Sequence, residues 1–168
     1  MKKIISIPFV SLFIGIITGF TYGSYSLITL NPQLTTLRFF PLVTHNLKVG
    51  IFIFLGGIIT FSILSLSILI LNGFSLGLAL SALITNYEIL FIIKYLLIHG
   101  VIELLGFICV AVGSMCVTYH VVGLISNKFK KEKPFFSNSM LFLKRSLLWT
   151  LSGTTLIVVA ALIEVIII

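Results

Sequence analysis

The sequence contains no aspartate, and its acidic residues number only four. The missing aspartate removes many phosphoryl-transfer schemes, in which Asp carboxylates hold magnesium. There is no Gly-x-Ser-x-Gly, no phosphate-binding glycine-rich loop and no His-Glu-x-x-His, so no hydrolase or transferase signature is present. Cysteine is scarce too. Cys109 and Cys116 lie in one apolar run, roughly 10 Å apart on a helix, which is too far for a disulfide. They read as small buried hydrophobes. Charge of either sign is rare: charged residues make up 9% of the chain against 59% hydrophobic ones. Mean hydropathy is +1.26. A soluble domain of this size could not cover so much apolar surface with so few charges. Lipid is therefore the solvent for most of the chain.

The net charge of +7 does not point to nucleic acid. The lysines and arginines sit between apolar runs, as in loops at a membrane surface. Met1-Lys2-Lys3 opens directly onto apolar sequence. The run is too long for a signal peptide and lacks a small-x-small cleavage site, so it reads as a retained first helix.

The fold expected is all-α, a polytopic transmembrane bundle of about five spans in one domain, 1–168. The spans fall at about 4–27, 47–71, 74–98, 101–125 and 146–168, each near the roughly 20 residues a crossing needs. Gly15, Gly19 and Gly23 put three glycines on one face of the first. Such a face serves close packing within the chain or pairing with a second copy. Asn72-Gly73 reads as a turn ending the second span. The third is interrupted by Thr85-Asn86-Tyr87-Glu88. If 74–98 crosses once, there are five spans with the N-terminus inside. If it only dips in, there are four. Lys2 and Lys3 favour the first arrangement, Arg38 and Lys48 the second, and the length of the segment favours five. The basic loop with Lys128, Lys130, Lys131, Lys133, Lys144 and Arg145 is expected in the cytoplasm. It offers anionic lipid or a partner subunit a docking surface.

His99 and Glu103 are one helical turn apart and share a face. Ionisable residues inside spans usually face the bundle interior and pair. Three readings stand: a mutually satisfied structural pair, a proton or ion relay, or a metal site completed by Glu164. The metal reading lacks a second His or Cys, so no metal or other cofactor is expected. Asn46, Asn72 and Glu164 are candidates for the same polar cluster. Lys94 reads as snorkelling to an interface or as neutralising Glu88 or Glu103, and Tyr119 and His120 as interfacial residues.

His45-Asn46, Asn72-Gly73 with Gly77, His99-Gly100-x-x-Glu103, Gly113 and Glu164 occur in this order. With them the chain resembles the stage II sporulation protein M family over about residues 40–168. The resemblance implies a multi-helix integral membrane protein of the cell membrane with no assigned catalysis. It implies a scaffold or accessory subunit for envelope remodelling, with cell-wall hydrolases as partners. The alternative it implies is an accessory role in export of, maturation of, or self-protection against a circular bacteriocin, beside an ATP-binding transport subunit. The longer N-terminal extension associated with the sporulation member is absent.

Overall fold

The computed structural model describes residues 2–26, 39–129 and 139–167, and all its regular elements are helical. They are α1 (Lys2–Ser26), α2 (Phe39–Ile59), α3 (Ile63–Asn86), α4 (Ile89–Ile92), a π-helical segment (Ile93–Leu97), α5 (Ile98–Phe129) and α6 (Ser139–Ile167). Five helices are long and apolar enough to cross a membrane, at Ile4–Ser26, Phe39–Ile59, Ile63–Thr85, Ile98–Ile125 and Leu141–Ile167. The expected number of spans therefore holds, but two boundaries move.

The turn expected at Asn72-Gly73 is not there. Both residues lie inside α3. The Asn72 amide Nδ2 donates to Ile68 O within the helix, at 2.9 Å, so it supports the helix instead of ending it. Gly73 serves an approach by α1: a side chain there would strike Leu12 O and crowd Ile16 N. The chain instead reverses at Thr60–Ser62, where Phe61 and Ser62 take positive φ of 51° and 77°. Ser62 N–H donates to Gly57 O at 2.6 Å. Thr60 Oγ1 donates to Gly56 O at 2.7 Å and accepts from Leu64 N–H at 2.9 Å. One hydroxyl thus serves the end of α2 and the start of α3.

The irregularity expected within 74–98 is present at Tyr87–Glu88, but it separates α3 from the helical stretch leading into α5. Residues 74–86 belong to α3, and 89–97 lead through the π-helical segment into α5.

Glycine sets the packing. Along α1, Gly15 faces Ile70 and Phe74, Gly19 faces Phe74, and Gly23 faces Leu78 and Ser81. Both sets of numbers rise together, so α1 and α3 run parallel. Gly73 and Gly77 of α3 face back onto α1, making a two-sided small-residue interface. The glycine face of α1 is thereby filled within the chain, which leaves no room on it for a second copy. α5 and α6 run antiparallel. A Cβ on Gly106 would lie 2.9 Å from Gly153 O, and one on Gly153 2.6 Å from Gly106 O. Gly57 of α2 lies beside Ser114, and Gly50 reaches Ile157 at the level of Gly106, so α2 runs parallel to α5. The starts of α1, α3 and α6 therefore share one end of the bundle with the ends of α2 and α5.

Helix α5 is the core. About two-thirds of its spanning window is buried, against a third or less in each other span. Phe107, Ala111, Val112 and Cys116 are fully covered.

Candidate functional site

Helices α3 and α5 run antiparallel, with Ser65 beside Ser114 and Leu76 beside Gly100. Toward the end where α5 begins, they part around a cavity of about 230 Å³. Asn72 and Ser75 line it from α3, and His99, Gly100 and Glu103 from α5. The spacing of His99 and Glu103 does place both on one face. Asn72 joins them because it lies mid-helix and not at a turn. Gly100 leaves the cavity open: the nearest atom to a Cβ there is Leu76 Cδ1, 3.6 Å away.

The mutually satisfied pair does not form. No hydrogen bond or ion pair joins His99 to Glu103 among the described residues, and the buried His99 Nδ1 has no hydrogen-bond partner. The charge that acts on Glu103 is another carboxylate, Glu164 of α6. Asn46 is buried in α2. One turn before Gly50, it sits at the depth of Glu103, one turn before Gly106, but it does not line the cavity. No three His, Cys, Asp or Glu side chains among the described residues are arranged to hold a metal ion.

Ser75 is a polar cavity residue that no motif in the sequence singles out. Asn72, Ser75 and Ala79 recur at helical spacing, a small and polar stripe that could have flagged it. On α3, Asn72 Nδ2 spends one of its two hydrogens on Ile68 O, and Ser75 Oγ places its hydrogen on Leu71 O at 3.0 Å. Their oxygens remain as acceptors. An apolar groove of about 290 Å³ adjoins the cavity and shares Leu76 and Leu104 with it.

Of the basic loop, Lys144 is exposed and Arg145 half-buried in the first turns of α6. The side chains of Lys128, Lys130, Lys131 and Lys133 lie outside the described residues. Toward the opposite end of α5, His120 Nδ1 is buried with no hydrogen-bond partner among the described residues. Cys109 and Cys116 are both free.

No solved structure matches the chain. An uncharacterized protein of Methanocaldococcus jannaschii is 35% identical over 159 residues, covering 88% of this chain and 85% of its own length. Residues 5–167 match the family described as stage II sporulation protein M. With nearly the whole chain matched, this integral membrane protein belongs to the stage II sporulation protein M family.

Proposed function

We propose that the protein is a non-enzymatic scaffold of the cell membrane, an accessory subunit that holds a partner protein for envelope remodelling. The carrying observation is the cavity between α3 and α5, lined by Asn72, Ser75, His99 and Glu103, where the buried His99 Nδ1 has no partner among the described residues. A polar cluster that only glued helices together would satisfy itself, since an unpaired polar group at membrane depth is costly. This one keeps acceptors turned to the cavity. The family's description, a sporulation protein, supports an envelope setting. The basic residues Lys144 and Arg145 at the start of α6 suit anionic lipid.

The test is affinity purification from native membranes in mild detergent, with mass spectrometry of the bound proteins. Cell-wall hydrolases are expected with the wild-type chain. They should be lost with Ser75→Trp, which fills the cavity from an exposed position at unchanged protein level. An ATP-binding transport subunit or a small cationic peptide in the eluate would instead assign the chain to export, maturation or self-protection around a circular bacteriocin. Hydrolase capture unaffected by Ser75→Trp would remove the cavity from the function.

A further inference from the structure

The cavity is rich in acceptors. Glu103 presents a carboxylate. Asn72 keeps its side-chain oxygen, with an N–H already on Ile68 O. Ser75 has placed its hydroxyl hydrogen on Leu71 O. His99 lines the cavity as well, though its Nδ1 is itself buried, without a partner among the described residues. These groups converge on about 230 Å³, room for several waters but less than drug-sized ligands occupy. With the Glu103 carboxylate and the Asn72 and Ser75 oxygens outnumbering the remaining N–H donors, the cavity suits a group that only donates. An ammonium has three N–H donors and a guanidinium five, and neither accepts.

Charge points the same way. Glu164 acts on Glu103, and neither is in an ion pair with a basic side chain among the described residues. Uncompensated carboxylates inside a bilayer are costly and are normally neutralised by a partner. Depth fits as well. Glu103 lies about 8 Å along the helix from Ile98, the residue at which the α5 span begins. At that level a lysine or arginine stem reaches along apolar surface with its head near the interface.

The adjoining groove supplies that apolar surface. It meets the cavity at Leu76 and Leu104, and its rim residues Phe13, Val101 and Leu105 are exposed. We infer that the cavity receives the lysine or arginine side chain of a partner's transmembrane segment, whose neighbouring apolar side chains lie along the groove. This rests on the scaffold reading and names the chemistry by which its partner is held.

The test places the donor-labelled full chain in phosphatidylcholine vesicles with an acceptor-labelled synthetic helix. The helix is an apolar Leu/Ala sequence of spanning length with one lysine about a turn and a half from one end. The control helix carries methionine there. Energy transfer should report roughly tenfold tighter association for the lysine helix. That preference should vanish with Glu103→Gln and with Ser75→Trp, and persist with Glu88→Gln, which alters an exposed carboxylate outside the cavity. Circular dichroism and a monodisperse elution profile establish that each variant is folded. Equal association of the two helices, or a preference untouched by both cavity variants, overturns the inference. Displacement of the lysine helix by added phosphatidylethanolamine also overturns it, by assigning the site to a lipid amine. If the native partner is lost with Ser75→Trp while the lysine helix shows no preference, the scaffold reading stands and the ammonium chemistry fails.

Discussion

The hydroxyls of Ser65 and Ser114 lie 3.2 Å apart, joining α3 to α5 directly beneath Gly57 of α2. Ser65 also donates to Ile53 O, and Thr118 Oγ1 lies 3.3 Å from Gly57 O. Three helices therefore meet at one small polar knot, and Gly57 is the residue whose missing side chain lets them. Removing one hydroxyl should matter little, since hydrogen bonds between membrane helices average about 0.6 kcal/mol. Adding a methyl should matter more, because overpacking a closed contact costs about 1–3 kcal/mol. Gly57→Ala is therefore expected to unfold at lower SDS fraction than Ser114→Ala. The reverse order would mean that the hydroxyl network, and not the close approach, holds the three helices.

The glycines of α5 should separate by function in the same assay. Gly106 and Gly113 abut α6 backbone or Thr150. Gly100 meets only Leu76 Cδ1 at ordinary contact distance. Gly106→Ala should lower stability by about 1–3 kcal/mol. Gly100→Ala should be neutral or slightly stabilising, because alanine is the better helix former. A Gly100→Ala loss as large as that of Gly106→Ala would mean that the cavity wall is tighter than described.

These contacts show what the sequence could and could not disclose. The Gly15, Gly19 and Gly23 face was legible, because four-residue glycine spacing has one common use inside lipid. Gly73 was misread because beside an asparagine it also spells a turn. Only the position of α1 decides between the two meanings, and that is a tertiary fact. Between residues 49 and 71 the polar side chains are hydroxyls alone, Thr60, Ser62, Ser65 and Ser67, and they mark no amphipathic period that breaks at Phe61. His99 and Glu103 stood out by charge, and their shared face follows from spacing alone. The cavity they line does not, because it also takes Asn72 and Ser75 from another helix.

The Thr60–Ser62 turn carries its own prediction. Two non-glycine residues at positive φ store strain of order 1 kcal/mol each. Ser62 is buried and Phe61 exposed. Ser62→Gly should raise the midpoint of thermal unfolding in detergent, with an expected gain of about 0.5–1 kcal/mol. Thr60→Ala should lower it, because both helix ends lose the same hydroxyl. An unchanged midpoint for Thr60→Ala would show that water or lipid headgroups satisfy Gly56 O and Leu64 N–H equally well.

Helix directions and charge together predict the orientation of the bundle. The ends carrying the start of α1 and the start of α6 coincide. Lys2, Lys3, Lys144 and Arg145 belong to those starts, and Lys128, Lys130, Lys131 and Lys133 fall between α5 and α6 in sequence or just before. That is eight of the 11 basic residues, and the excess places this end in the cytoplasm. Glu88 and Lys94 then face the exterior, since both precede the α5 span. In a background with Cys109→Ala and Cys116→Ala, Glu88→Cys should react with a membrane-impermeant maleimide on intact cells. Lys144→Cys should react only in inside-out vesicles. Both positions are exposed, so lack of access through burial does not complicate the outcome. Labelling of both from one side would require an even number of crossings between them. That result would break the single passage of α5 on which the placement of Glu103 near the outer face depends.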